Sequence, residues 1–166
     1  MKQLVLIRHA KSDWGSLELD DFDRPLNKRG KANAPDMGER LAKQQIIPDL
    51  IVSSPALRAI TTANFFANAW EMPSSGIKKE PKIYEASAKT LLGIINNFDN
   101  QYDRIALFGH NPGLTDLVNY LDGHLSNLPT CGVVMLEFPF EDWAMVSADS
   151  GKILLYDYPK SEGDLD

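Results

Sequence analysis

Four side chains able to handle an oxyanion lie in three separated segments of this chain: Arg8 with His9, Arg58, and His110. Arg8-His9 ends the apolar run Leu4-Val5-Leu6-Ile7, and His110 follows Arg104-Ile105-Ala106-Leu107-Phe108-Gly109. Apolar runs of this kind read as buried strands. Ligands of open α/β sheets bind beyond the carboxyl ends of strands, so both histidines stand where a site would form. Arg58 falls one turn into the helix expected after a second short strand, Leu50-Ile51-Val52. In a parallel sheet these three places share one rim, and two guanidiniums meet two imidazoles. Arginine offers planar, permanently charged donors that match phosphoryl oxygens. Neutral imidazole offers a nucleophilic nitrogen, and cationic neighbours disfavour its protonated form. Taken singly, each residue has a plainer reading as a solvated arginine or a hydrogen-bonded histidine. Their joint placement at strand ends is what suggests phosphoryl chemistry.

The elements that must position them alternate between strand and helix. The first strand spans about Gln3 to Ile7, and residues 11 to 26 read as a polar, acidic loop with Gly15 and Pro25. Asn27 is a plausible N-cap for a helix running to about Gln45, with Met37 and Leu41 on its apolar face. Pro35 inside it is expected to kink or split that helix. Ser54-Pro55 reads as a cap followed by proline at the first helical position, opening a helix to about Trp70. A short strand at Lys82-Ile83-Tyr84 and a helix from Ser87 to Asn97 follow. Next come the strand Arg104–Phe108, the helix Pro112–Leu121, and strands at Gly132–Phe138, Trp143–Ser147 and Lys152–Tyr158. Ser150-Gly151 suggests a hairpin between the last two. The class is α/β: a three-layer α/β/α arrangement with a mostly parallel sheet and an antiparallel edge. One domain is expected over residues 1–160, with an acidic tail at 161–166.

Composition narrows the function. The 166 residues are 43% hydrophobic, enough for a sizeable core, and carry a formal net charge of -6. A general nucleic-acid or membrane-surface binder would need a basic face, so neither partner is expected. A local cluster of Arg and His can still make a positive pocket in an acidic protein. The single cysteine, Cys131, lies in an apolar stretch and reads as a small core residue; it excludes an internal disulfide. The first strand begins almost at Met1, and no apolar run approaches the roughly 20 residues of a membrane helix. A cytoplasmic location is expected. No metal is expected either, because carboxylates and the cysteine are not at ligand spacing around the histidines, and no cofactor is implied. His124, in Asp122-Gly123-His124, reads as a turn residue.

Leu6-Ile7-Arg8-His9-Ala10 resembles the signature of the histidine phosphatase superfamily, which has a phosphoglycerate mutase-like fold. Ser53-Ser54-Pro55-Ala56-Leu57-Arg58-Ala59-Ile60-Thr61-Thr62-Ala63 resembles its second motif and Gly109-His110-Asn111-Pro112-Gly113 its third. Arg24-Pro25-Leu26-Asn27 with Gly30 resembles the segment before the family's first helix. The short chain and the Arg-His-Ala-Lys-Ser start look most like SixA-type phosphohistidine phosphatases. The resemblance implies that His9 is a nucleophile that is transiently phosphorylated, and that Arg8, Arg58 and His110 bind the phosphoryl oxygens. Ala10 stands where the family usually has glycine.

A leaving group normally needs a proton. Glu85, after the expected third strand, is the first candidate for that acid, with Asp13 the second. A phosphohistidine depends less on an acid than a sugar phosphate does, because its imidazole can leave neutral. Only about seven residues separate Tyr84 from the apolar helix at Leu91, leaving little chain for a lid. An open pocket suits a phosphorylated side chain on a protein surface better than a caged metabolite. Trp14 and Tyr84 are candidates for its mouth, and Lys11 and Ser12 for its loop. The leading expectation is therefore a phosphatase acting on a phosphorylated protein. Its rivals are a phosphatase for small phosphate esters or anhydrides with the same nucleophile, and a non-catalytic phosphate-binding module.

Overall fold

Buried alternation in the strands builds a three-layer molecule. The computed structural model describes residues 1–14 and 18–159; Gly15 and the acidic segment 161–166 lie outside them. In chain order the elements are β1 (Lys2–Arg8), α1 (Lys28–Lys43), β2 (Leu50–Ser53), α2 (Leu57–Ala69), β3 (Lys78–Lys79), α3 (Ala88–Asn96), β4 (Arg104–Gly109), α4 (Gly113–Leu121), β5 (Val133–Phe138) and β6 (Lys152–Asp157). The sheet order is β3-β2-β4-β1-β5-β6. β1, β2, β3 and β4 are mutually parallel, β5 is antiparallel to β1, and β6 is antiparallel to β5.

Successive residues of β1 serve opposite layers, as the two-residue period of a strand requires. Leu4 and Leu6 pack with Ile105 and Leu107 of β4 and with the apolar faces of α3 and α4. Val5 and Ile7 pack with Ala106 and Phe108 and with α1 and α2. Leu4, Val5, Leu6 and Ile7 are fully buried, each contributing about 1.5–3 kcal/mol relative to exposure. A strand buried on both faces reads as an unbroken apolar run, which is why Leu4–Ile7 was legible. Among the described residues no helix is long and apolar enough to cross a membrane.

Several local expectations need correction. Lys82-Ile83-Tyr84 is not a strand: Pro81–Ile83 forms a 3-10 turn, and the third strand is only Lys78–Lys79. Pro81 at the first position of the turn presets its backbone, and Ile83 drops into the core as an anchor. Trp143–Ser147 is not a strand either. Trp143–Met145 is a 3-10 turn whose Ala144 N–H is capped by the Asp142 carboxylate. The Trp143 indole is fully buried and donates to the Tyr102 carbonyl, so it plugs the core instead of pairing. The late hairpin consequently joins β5 to β6. Pro35 neither splits nor ends α1, which is continuous. The carbonyl that Pro35 deprives of a donor belongs to Lys31, on the exposed face where water can serve it. Asn27 does cap α1, accepting from Gly30 N–H at 2.9 Å.

Gly30 matters for position. A Cβ there would lie 2.2 Å from the Lys11 carbonyl oxygen. Its absence lets α1 close onto the chain that leaves β1, and Asn27 N–H donates to that same carbonyl at 3.0 Å. The bridge between Ser12 and Leu26 then sets residues 18–25 as a lobe beside the end of β1.

Candidate active site

Strand register brings the two histidines together. Arg8 of β1 is level with Gly109 of β4, so His9 and His110 are the next residues past the ends of adjacent parallel strands. His9 N–H donates to the Gly109 carbonyl, and the ring centroids stand 5.2 Å apart. Arg58 is the second residue of α2, which follows β2, and β2 pairs with β4 on its other side. Arg8, His9, Arg58 and His110 thus share one cavity of about 390 Å³ at the carboxyl ends of the strands. All of them are buried or half-buried.

His9 Nδ1 lies 2.7 Å from the Ala10 carbonyl oxygen. A carbonyl only accepts, so the ring proton belongs on Nδ1 and Nε2 keeps its lone pair. Burial holds the His9 imidazole well below its ordinary titration range, with the Arg8 and Arg58 charges acting in the same direction. His110 is pushed down to about 4, by burial first and then by Arg58. Both rings are neutral near pH 7. Ala10, in the place of the usual glycine, is fully buried and is not among the residues with left-handed backbone, so its methyl group costs no strain.

Hydroxyl and backbone hydrogen bonds tie these segments. Thr62 Oγ1 accepts from Ala10 N–H at 3.0 Å and donates to the Arg58 carbonyl at 2.7 Å, joining the end of β1 to the first turn of α2. Ser54 Oγ lies 2.8 Å from His110 Nε2 and accepts from Ala56 N–H. Its expected role as the helix cap is therefore corrected: α2 begins at Leu57 behind Ala56, and Ser54 serves His110. Arg8 Nη1 donates to the Leu128 carbonyl. Cys131, buried as expected, has a left-handed backbone, and its N–H donates to the Arg8 and His9 carbonyls.

The lobe adds residues that sequence reading did not assign. Asp21 opens a 3-10 turn at Asp21–Asp23, and its carboxylate accepts from Arg58 Nη2 at 3.0 Å, Tyr84 Oη at 2.6 Å and Arg24 Nε at 3.0 Å. Arg24 is buried, donates to Ser12 Oγ at 2.7 Å, and lies 3.6 Å from the centre of the exposed Trp14 ring. The Tyr84 hydrogen bond and the two arginines lower Asp21 to about 2, while Tyr84 rises to about 12. Nothing in the acidic run Asp20-Asp21-Phe22-Asp23 marks which carboxylate turns inward. Ser54 and Thr62 sat inside the second motif, but their partners are remote in sequence.

Of the candidate acids, Glu85 is exposed on the cavity wall with a left-handed backbone. Asp13 is exposed and is not on that wall; its N–H donates to the Pro25 carbonyl. Trp14, Tyr84, Lys11 and Ser12 do line the cavity. His124 is 82% exposed in its turn, 3.6 Å from Asp122.

Known proteins share this sequence pattern and fold. A chloroplastic protein of Arabidopsis thaliana, itself uncharacterised, is 31% identical over 158 residues, 90% of this chain and 72% of that protein. The 2,3-bisphosphoglycerate-dependent phosphoglycerate mutase of Mycobacterium tuberculosis is 32% identical over 93 residues. That match spans 55% of this chain and only 37% of the mutase. The solved structure of a candidate phosphohistidine phosphatase SixA from Agrobacterium tumefaciens shares the fold with a TM-score of 0.81 at 28% identity, covering 95% of this chain and 98% of that one. The sequence pattern of branch 1 of the histidine phosphatase superfamily matches residues 4–105, which include Arg8, His9 and Arg58, while His110 joins them through the β1–β4 register. With its strand-end histidines, its flanking arginines and this match, the chain belongs to the histidine phosphatase superfamily.

Proposed function

We propose that the protein hydrolyses phosphohistidine on a partner protein, with His9 as the nucleophile. One observation carries this reading: the Nδ1 contact to the Ala10 carbonyl leaves His9 Nε2 unprotonated in a pocket walled by Arg8, Arg58 and His110. His9 Nε2 attacks phosphorus in line, the P–N bond to the substrate imidazole breaks, and that imidazole leaves with the bond's electron pair. Arg8, Arg58 and His110 donate to the equatorial oxygens, where charge accumulates in the transition state. Water then attacks phosphorus, the bond to His9 breaks, and inorganic phosphate leaves.

The protein-substrate reading is supported by the short path from the 3-10 turn Pro81–Ile83 to α3, which adds no covering segment over the cavity. The half-exposed Tyr84 and exposed Trp14 and Glu85 border its mouth. A second reading, hydrolysis of small phosphate esters, draws on Glu85, whose carboxyl at the rim could protonate an alkoxide. The experiment is acid-quench trapping with a phosphohistidine protein labelled on phosphorus. An acid-labile label on His9, abolished in His9→Ala together with turnover, is expected. Unchanged turnover in His9→Ala ends the proposal, and faster hydrolysis of sugar phosphates than of the phosphoprotein transfers it to the second reading.

A further inference from the structure

We infer that Asp21 is the positioning residue for Arg58, gripping one edge of the guanidinium so that the other edge is presented to the phosphoryl group. This rests on the proposed phosphatase reading of the same cavity. Arg58 makes two bonds to a single residue: Nη1 donates to the Asp21 main-chain carbonyl at 2.6 Å and Nη2 to Asp21 Oδ2 at 3.0 Å. Those bonds occupy the terminal edge of the fork. Arg58 Nε is buried and has no hydrogen-bond partner among the described residues. A guanidinium has five N–H donors in a rigid plane, so holding the terminal edge determines where Nε–H and the neighbouring Nη2 hydrogen point. A buried, charged donor left without an acceptor is costly, which marks the Nε edge as the one a ligand oxygen completes.

The grip is braced from outside. A carboxylate has about four acceptor positions. Asp21 uses them on three partners from different parts of the chain: Arg58 of α2, Tyr84 of the turn before α3, and Arg24 of its own lobe. Phe22 stacks edge-on against Tyr84 at 5.2 Å, holding the lobe in place. The same bonds lower Asp21 to about 2, so it is an anion near neutral pH. Its contribution is orientation of a cation that would otherwise sweep several rotamers.

The opposite behaviour is physically possible: a carboxylate on Arg58 could compete with phosphate for it. Titration calorimetry of the full chain with inorganic phosphate separates the two, using wild type, Asp21→Ala, Asp21→Asn, Arg58→Ala and the Asp21→Ala/Arg58→Ala double variant. Positioning predicts that Asp21→Ala binds phosphate about tenfold more weakly, the loss of one charge-assisted contact. Asp21→Asn keeps an acceptor and the main-chain carbonyl and should recover part of that loss. In the Arg58→Ala background, removing Asp21 should have no further effect, a non-additivity that mere loosening of the lobe would not produce. Equal or tighter binding by Asp21→Ala, or additive losses in the double variant, overturns the inference. The readout is anion binding, so it stands apart from whether His9 becomes phosphorylated: a coupled Asp21–Arg58 pair in a protein that forms no phosphoenzyme would sink the catalytic reading alone.

Discussion

Acid should reveal the cost of burying His110 beside arginines. Burial first, then the Arg58 charge, lowers this imidazole from 6.5 to about 4 in the folded protein. In the unfolded chain it titrates normally. Above about pH 6.5 both states are neutral and the residue contributes no pH dependence. Between about pH 6.5 and 4 the unfolded state binds a proton that the folded state refuses, so stability falls as the pH falls. At about pH 4.5 the linkage amounts to roughly 2.5 kcal/mol from this ring alone. The ring is only 9% exposed, so solvent screening removes little of it. Asp21 does not blur the window: its stabilising contribution, present above the ordinary carboxylate value, is lost only as the pH falls towards about 2. The test is urea unfolding of wild type and His110→Asn at about pH 7.5 and 4.5. Loss of the Ser54 contact lowers the variant at both pH values and cancels in the comparison. Wild type should lose roughly 2.5 kcal/mol more than the variant between the two conditions. Equal losses in the two proteins would refute the assignment of a buried, neutral His110. Inorganic phosphate should restore part of the wild-type loss, because an anion in the cavity favours the imidazolium.

Other expectations follow from single contacts. Thr62→Val keeps the shape of the side chain but strips the Ala10 N–H of its acceptor, and should cost about 1–3 kcal/mol in chemical denaturation and lower kcat/KM as well. Gly113→Ala would place a Cβ 2.2 Å from the Ala86 carbonyl oxygen, so the turn carrying Glu85 must shift; a thermal melt should show about 1–3 kcal/mol of destabilisation. Glu85→Gln should leave phosphohistidine turnover nearly intact while slowing phosphate-ester hydrolysis by about a hundredfold, if an ester is turned over at all. Parallel kcat/KM measurements on the two substrate types check it, and equal losses on both would give Glu85 a role beyond proton donation.

The site was legible from sequence to the extent that its residues interrupt periodic elements. Arg8-His9 and His110 stand out because each ends a run that is apolar on both faces, and such runs belong to the centre of a parallel sheet. Leu4–Ile7 and Ile105–Phe108 pair residue for residue in the structure. Arg58 was legible through its distance from the end of β2. Sequence and structure part at short segments where side-chain anchoring outweighs strand propensity. Ile83 and Trp143 are apolar enough to suggest strands, yet each is a plug held by a 3-10 turn. Pro35 is expected to kink or split a helix, but the Lys31 carbonyl it leaves without a donor lies on the exposed face.

Apolar runs and the residues that end them specify the set of groups and their common rim: two imidazoles and two guanidiniums at the ends of parallel strands, in an acidic chain with an α/β pattern. How those groups are held was settled by contacts made in the folded chain. Which of the acidic residues between Asp20 and Asp23 would grip Arg58, that Ser54 would turn to His110 instead of capping α2, and that Thr62 would tie Ala10 to Arg58 all depend on contacts between remote segments. The physical reason is one of range. Strand and helix periodicity are local and repeat along the chain, so they can be read in order. A hydrogen bond between positions 21 and 58, or 54 and 110, leaves no periodic trace, and its partners are chosen only when packing brings them within three ångströms or so.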